Sequence, residues 1–270
     1  MDIKKKKILV FDLEVAPYDF DTYYDEETKE YLIKFANTEE EKLKAIEGLV
    51  FTPFTSQIVA IGMMDYNKRE GAVLVNAPKE TALDSSSKLA SEKLLDYDIP
   101  KPEEGTEGEK IYNEQSLEKL TYLCGSEKEI IEMFWKKIKH EGYNMFVTFN
   151  GREFDCPFIM LRTFLMKSRP TYNLMSGTDF NIKGYHTDLM KELTFNKHSP
   201  TGARRKFSLD FYCKQLGIPS PKADGVKGDM VKDLYENKEY QTIADYCFGD
   251  VVATGNLFNL WSKYLDFNNS

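Results

Sequence analysis

The sequence has no apolar run long enough to cross a membrane, and few residues of the kinds that hold zinc. Its 270 residues include four cysteines and three histidines, which form no Cys-x-x-Cys or other zinc-binding pattern. The longest apolar stretches fall well short of the roughly 18 residues of a membrane span. The basic N-terminal run is followed by too few apolar residues for a signal peptide. We therefore expect a cytoplasmic protein with reduced thiols and neither a membrane segment nor a targeting segment.

The chain also lacks the positive charge that many nucleic-acid-binding proteins carry. Its 36 lysines and arginines and 44 aspartates and glutamates give a formal net charge of −8. This balance argues against a protein that coats nucleic acid, but it allows an enzyme that grips only a few nucleotides. An acidic excess also arises where carboxylates are clustered to bind metal ions and where acidic segments are inserted at the surface.

Apolar runs and helical spacing predict an α/β protein with a mixed β-sheet flanked by helices. Strands are predicted at 8–13, 57–65, 72–76, 144–149 and 185–189, with a hairpin turn at 68–71. Helices are predicted at 126–140, 156–168, 207–216, 228–236 and 239–265. Two segments, 18–48 and 77–115, are predicted to be insertions, the first with a helix around 25–47. We assign residues 1–270 to a single domain.

The first candidate site is Asp12-Leu13-Glu14, which follows the apolar residues of the first strand. Side chains alternate along a strand, so Asp12 and Glu14 point to the same face, about 7 Å apart. Two carboxylates in this arrangement can share Mg²⁺ or Mn²⁺, which prefer oxygen ligands. The alternative is that the strand ends at Phe11 and both acids are solvated.

The second candidate is Asp155, which follows the Asn150-Gly151 turn and precedes Cys156-Pro157. This position predicts an N-cap residue for the helix that begins there. The carboxylate is also a candidate metal ligand, because α/β proteins often place reactive groups where a strand ends and a helix begins.

The third candidate is the pair Tyr246 and Asp250, which are four residues apart on the last predicted helix and therefore share a side. Asp250 borders the apolar stripe of that helix, and a buried carboxylate there needs a partner. The alternative is a solvated acid at the edge of the stripe. Asp245 is five positions away from Asp250, so we expect it to point in another direction.

In this order, the motifs resemble the DEDD superfamily of 3′–5′ exonucleases, in the subgroup with tyrosine in the last motif. The matching segments are FDLE (11–14), FNGREFD (149–155) and YCFGD (246–250), with weaker agreement at 56–62, 186–190 and 208–218. The chain is most similar to the proofreading exonuclease domain of family B DNA polymerases and its free-standing relatives, without the polymerase. The histidine subgroup would carry histidine where this chain has Asp245.

The resemblance implies an RNase H-like fold and hydrolysis of phosphodiester bonds with two divalent cations, Mg²⁺ or Mn²⁺. Asp12 would bridge both cations. Glu14 and Asp250 would complete one metal site, and Asp155 would serve the other. Tyr246 would hydrogen-bond the attacking water and orient it.

Substrate contacts are expected at the terminal nucleotide from Asn150 and Phe154, and at phosphates from Arg204 and Arg205, although a solvated loop explains these arginines equally well. The leading hypothesis is a stand-alone 3′–5′ exonuclease that acts on single-stranded DNA or frayed DNA ends. A polymerase or another replication protein acting in trans is a further candidate partner. Two alternatives stay open, namely a 3′–5′ exoribonuclease with the same site and a catalytically silent nucleic-acid-binding accessory subunit.

Overall fold

The computed structural model describes residues 6–84, 93–96, 113–177, 185–197, 199–219 and 225–267. A six-stranded sheet in the order β6-β3-β2-β1-β7-β8 forms its centre. These strands are β1 (Ile8–Pro17), β2 (Ser56–Asp65), β3 (Glu70–Asn76), β6 (Lys119–Gly125), β7 (Met145–Thr148) and β8 (His186–Asp188). A separate two-stranded sheet pairs β4 (Lys93–Asp96) with β5 (Asn113–Ser116).

The central sheet is mixed, as the sequence predicts. Strand β2 runs antiparallel to both β1 and β3, and the predicted hairpin is confirmed because Asp65 pairs with Glu70. Strands β7 and β8 run parallel to β1, and β6 runs parallel to β3. The parallel strands bring the ends of β7 and β8 to the level of Asp12, since Val10 pairs with Val147 and Thr148 pairs with Asp188.

Helices flank this sheet on both faces. They are α1 (Phe20–Tyr23), α2 (Glu26–Ile33), α3 (Glu39–Glu47), α4 (Glu127–Glu141), α5 (Asp155–Leu165), α6 (Leu189–Leu193), α7 (Leu209–Leu216), α8 (Val231–Glu236) and α9 (Tyr240–Tyr264). Single 3₁₀ turns at Gly48–Phe51 and Gly228–Met230 precede β2 and α8. Helix α4 starts with a capping box between Ser126 and Glu129, as expected. None of the helices in these described ranges has the length and apolarity to span a bilayer.

Alternation along β1 divides the core into two layers. Leu9, Phe11 and Leu13 pack in the cluster that includes residues of α4 and α5. Ile8 and Val10 pack on the opposite face, with residues of α9. Asp12 and Glu14 continue this second face, as predicted, because side chains alternate along a strand.

Several predicted boundaries differ from the observed ones. Strand β1 continues to Pro17, so the alternative in which it ends at Phe11 is wrong. The helix predicted at 25–47 is two helices, because Thr38 starts α3 with a capping box. Strand β6 was not predicted. Most of segment 77–115 lies outside the described residues, and the assignment of 1–270 to one domain stays a prediction.

Candidate active site

Helix α9 lies unusually close to the sheet, and two glycines allow this approach. A Cβ atom at Gly62 would lie 2.8 Å from Val251 Cγ2 and 3.0 Å from Cys247 Sγ. A Cβ atom at Gly71 would lie 2.3 Å from the ring of Phe248. Side chains at these positions would therefore push α9 away from β2 and β3. This packing determines how close the polar side chains of α9 lie to the sheet.

Strand β1 and helix α9 together form the centre of the site. Asp12 and Glu14 from β1 and Cys247 from α9 have ligand atoms that all lie within 4.8 Å of one another. The Cys247 thiol donates to the backbone oxygen of Asp12, with an Sγ–O distance of 3.7 Å. Burial and the neighbouring carboxylates raise the pKa of Cys247 well above its ordinary value, so the thiol stays protonated.

Tyr246 and Asp250 face the same site from the next turns of α9, as predicted. Burial raises the pKa of Tyr246, and the charges of Asp250, Glu14 and Asp12 raise it further. The tyrosine hydroxyl is hydrogen-bonded to Asp250. Asp250 itself is half-buried. Tyr246 therefore keeps its proton and is a hydrogen-bond donor across the ordinary pH range.

Asp155 reaches the site from the opposite side of β1, but it does not cap helix α5. Phe154 occupies the N-cap position and Asp155 is the first helical residue, so the N-cap prediction was wrong by one position. Its Oδ1 instead accepts a hydrogen bond of 3.0 Å from the backbone N–H of Leu13. This bond attaches the start of α5 to β1, directly between the two acids of the strand.

Asp155 is buried, and its protonation is poised near neutrality. Burial raises its pKa to about 7, against the lowering effect of backbone hydrogen bonds from its own N–H and from Leu13. Negative charges on Asp188 and Asp250 add to the increase. A carboxyl group with this pKa has a strong preference for a neutralising partner above neutral pH.

These four carboxylates, which we call the acidic cluster, act on one another. The cluster consists of Asp12, Glu14, Asp155 and Asp250. Burial raises the pKa of Asp12 well above its ordinary value, and the charges of the other three members, in the order Asp155, Asp250 and Glu14, raise it further. The structure therefore brings together all four acids that the sequence motifs selected.

A fifth acid, Asp188, supports the cluster from the end of β8. Its carboxylate accepts backbone N–H bonds from Asn150, Arg152 and Met190 at 2.9, 2.9 and 3.1 Å, and one from Lys191 at 3.4 Å. Burial raises its pKa, whereas the backbone hydrogen bonds from Arg152, Asn150 and Lys191 and the charge of Lys191 lower it. Asp188 thus ties the turn after β7, which leads to Asp155, to the start of α6. The sequence places Asp188 only in a weaker motif, without a role.

The backbone conformation of Asn150 in this turn leaves its side chain facing the site. Its backbone has a φ of +64°, in the left-handed region that asparagine tolerates better than most residues. Its Oδ1 is buried and has no hydrogen-bond partner among the described residues. A buried acceptor without a partner is costly, so a donor from a bound molecule would stabilise it.

A cavity of about 270 Å³ opens on the acidic cluster. It is lined by Asp12, Phe149, Asn150, Met190, Ser208, Leu209, Asp210, Tyr246 and Asp250. Within the described part of the chain, the other predicted substrate contacts, Phe154, Arg204 and Arg205, lie outside this lining. The Arg205 guanidinium lies over the ring of Phe207, 5.1 Å from its centroid. The roles of these three residues stay predictions.

Asp245 points away from the cluster, as expected. It accepts hydrogen bonds of 2.6 Å from the Tyr122 hydroxyl and 2.9 Å from Gln241. It therefore belongs to the contact between α9 and β6, and it provides a natural control for mutations of Asp250 on the same helix.

The donor set of the cluster fits hard divalent cations. Carboxylate oxygens are the ligands that Mg²⁺ and Mn²⁺ prefer, and cations would relieve the repulsion that raises the pKa of Asp12. The nearby Cys247 does not change this assignment, because its protonated thiol is a poor ligand for such ions.

A mixed sheet in this order, with acids on its first strand and on a helix laid across it, defines the RNase H-like class of nuclease folds. A family model described as a predicted 3′–5′ exonuclease related to the exonuclease domain of PolB matches residues 109–269. The chain belongs to this family, since the match covers well over half of it. A search of curated proteins finds no significant match.

The match includes Asp155, Tyr246 and Asp250 but not strand β1. Asp12 and Glu14 lie outside the matched residues, and only the fold brings them next to that part of the chain. The pairing of β1 with β2 and β7, and the contact of Cys247 with Asp12, place them there.

Proposed function

We propose that the protein is a metal-dependent 3′–5′ exonuclease that acts on single-stranded DNA or on frayed DNA ends. The observation that carries this proposal is the acidic cluster with Tyr246, of which Asp12, Asp250 and Tyr246 line one cavity. The family match over residues 109–269 supports exonuclease chemistry, and it contains Asp155, Tyr246 and Asp250.

Asp12, Glu14, Asp155 and Asp250 would hold two divalent cations, Mg²⁺ or Mn²⁺. When bound, such ions neutralise charge on the scissile phosphate and lower the pKa of a coordinated water. The residues of the chain prepare this site by keeping the carboxylates close before any cation arrives. The Leu13 N–H bond to Asp155 and the packing of α9 on Gly62 hold them in place.

Tyr246 has a positioning role in this proposal. Because its pKa is raised, it does not remove a proton from water near neutral pH. Its hydroxyl donates to Asp250, and its oxygen can accept a hydrogen bond from a water in the cavity that it lines. Asn150 would meet the terminal nucleotide, since its buried Oδ1 can accept a hydrogen bond from a sugar hydroxyl.

Digestion of an oligonucleotide labelled at either its 3′ or its 5′ end tests this proposal. With Mg²⁺ or Mn²⁺, a 3′ label should be released as a mononucleotide at once, while a 5′ label should give a ladder of shortening products. Chelator should stop both. Matched DNA and RNA strands decide between the deoxyribonuclease and the exoribonuclease alternative.

Variants make the same experiment specific for the site. Asp12→Ala and Asp250→Ala should each lower kcat at least about a hundredfold, because each removes charge stabilisation at the phosphate. Tyr246→Phe should lower kcat more than it raises KM. Asp245→Asn is the control on the same helix and should retain activity. Full activity in Asp12→Ala and Asp250→Ala would exclude this site, and a wild-type protein that binds DNA without cutting it would favour the accessory subunit.

A further inference from the structure

Two exposed phenylalanines lie on a stretch of chain that carries no charge. Residues 48–64 contain no acidic or basic side chain. Phe51 and Phe54 in this stretch are 71% and 56% exposed. We call residues 49–56 the aromatic loop. Two exposed rings close together on a short uncharged segment form an apolar patch that a binding partner can cover.

The backbone of the aromatic loop is held firmly although its rings are exposed. The Thr55 hydroxyl donates to the Leu49 carbonyl at 2.6 Å, and the Ser56 hydroxyl donates to the Thr52 carbonyl at 2.6 Å. The Arg162 guanidinium donates to the Pro53 carbonyl at 2.8 Å. The rings are therefore presented on a preorganised support, which lowers the entropic cost of binding.

The aromatic loop continues a row of rings that leads to the acidic cluster. The Phe51 ring lies 6.5 Å from the ring of Phe154 in an edge-to-face arrangement. Phe154 lies 5.2 Å from the buried ring of Phe158. Phe154 is also the residue before Asp155, whose carboxylate bonds to β1. The row of rings from Phe51 therefore includes the residue next to Asp155.

The surrounding charges restrict what can bind there. Residues 18–48, which form α1, α2 and α3, contain ten acidic and four basic side chains. This surface repels phosphates, so a nucleic acid strand meets less repulsion along the uncharged loop than along the helices. Aromatic rings offer such a strand base stacking that does not depend on its sequence, as trimming from an end requires.

We propose that Phe51 and Phe54 form a stacking site for bases of the single strand upstream of the nucleotide being removed. This inference rests on the proposed function and assigns a role to the whole segment between β1 and β2, residues 18–55, which we call the β1–β2 insertion. A strand end with several unpaired nucleotides then contacts the aromatic loop, whereas a single nucleotide is too short to contact it.

A comparison of two substrates in four proteins tests this site. The substrates are a short oligothymidylate and the p-nitrophenyl ester of thymidine 5′-monophosphate, which has one nucleotide. The proteins are the wild type, Phe51→Ala, Phe54→Ala and Phe35→Ala. Phe35 is the matched control, because it is 85% exposed on the same insertion but outside the aromatic loop.

We expect the ratio of kcat/KM for the oligonucleotide to kcat/KM for the ester to fall about tenfold in Phe51→Ala, because the variant loses a ring on which a base stacks. A smaller fall is expected in Phe54→Ala and none in Phe35→Ala. Phe51→Trp should restore the ratio and Phe51→Leu should not. Thermal unfolding identifies any variant that is not folded.

Fluorescence supplies a readout independent of turnover. In an Asp12→Asn background, 2-aminopurine placed upstream of the 3′-terminal nucleotide should be quenched on binding, and Phe51→Ala should relieve the quenching. An unchanged ratio with unchanged quenching in both Phe51→Ala and Phe54→Ala overturns the stacking site. A wild-type protein that degrades neither substrate overturns the proposed function instead, so the two failures are distinct.

Discussion

The protein contains two clusters of buried charge near the second half of β1. One consists of charges of the same sign, and the other pairs charges of opposite sign. On one face, the acidic cluster gathers four carboxylates whose charges raise one another's pKa values. On the other side, Arg162 of α5 and Glu127 of α4 form a buried ion pair between side chains of opposite sign. The same core thus holds one site of repulsion and one of mutual neutralisation.

Both side chains of the ion pair make further hydrogen bonds. The Arg162 Nε donates to Glu127 Oε1 at 2.7 Å, and the backbone N–H of Ile58 donates to the same oxygen at 2.8 Å. The guanidinium also donates to the Tyr18 hydroxyl at 2.7 Å and to the Pro53 carbonyl at 2.8 Å. It therefore joins Tyr18 and Pro53, which lie near the two ends of the segment between β1 and β2, to helices α4 and α5.

The difference separates charge used for architecture from charge kept for a ligand. In the ion pair, each charge offsets the cost of burying the other, so the pair fixes a structure and needs nothing further. In the acidic cluster, the cost of bringing like charges together stays in the folded protein until a cation relieves it. Removing one charge should consequently destabilise the protein at the ion pair, but it should not destabilise the metal-free protein at the acidic cluster.

The largest effect is expected at the ion pair. Arg162→Met should lower the free energy of unfolding by about 3–5 kcal/mol, because Glu127 is left buried without its cation. Urea denaturation measures this loss. The double variant Arg162→Met/Glu127→Gln should recover part of it, and Lys68→Met, which breaks the exposed pair with Glu141, should cost less than about 1 kcal/mol. Equal losses in Arg162→Met and Lys68→Met would contradict the contrast between the clusters.

The next effect is stabilisation of the acidic cluster by cations. At a hundredfold excess over its dissociation constant, Mg²⁺ or Mn²⁺ should add about 2.7 kcal/mol to the free energy of unfolding. Thermal unfolding with and without chelator measures it. Asp12→Asn should abolish the response and should not destabilise the metal-free protein, because it relieves repulsion. Asp245→Asn should keep the response, and a wild-type melting temperature that ignores both ions would count against the metal site.

The smallest effect is a pH dependence assigned to Asp155. Its pKa is raised to about 7 by burial, so the folded state holds a proton that the unfolded state releases. Stability from this group is complete at pH below the unfolded pKa of 3.8 and is lost as pH rises towards 7. Between pH 5 and 7 the loss should be about 2 kcal/mol in metal-free protein.

Asp155→Asn is the control for this pH dependence, because asparagine does not titrate. Chemical denaturation at several pH values in chelator should give a flatter profile for the variant than for the wild type. Parallel profiles would assign the titration to other groups. Added Mg²⁺ should flatten the wild-type profile as well, since a cation replaces the proton as the partner of the carboxylate.

Much of the central fold follows from apolar patterning. Strands β1, β2, β3 and β7 and helices α4 and α9 all lie close to their predicted ranges, because each buries a continuous face or stripe. Strand β6 was missed because it is an edge strand in which Tyr122 is half-buried and Leu123 is 45% exposed. Its sequence therefore lacks the run of apolar residues that marks a buried strand.

The members of the site were predicted better than its geometry. The spacing of acids in three motifs selects the acidic cluster, but it does not reveal that Asp155 bonds to Leu13, which is 142 positions away. The nearby helix start favoured a local cap instead. The close approach of α9 and the burial of Arg162 with Glu127 also depend on contacts between distant segments, which periodicity does not encode.

The contact between Cys247 and Asp12 joins residues that are 235 positions apart. A ribosome makes β1 early and α9 late, so a growing chain carries Asp12 and Glu14 long before Tyr246 and Asp250 exist. The nascent chain lacks the complete cluster until Asp250 has been added. The order of synthesis therefore delays assembly of the acidic cluster until the whole central sheet and the first half of α9 have been translated.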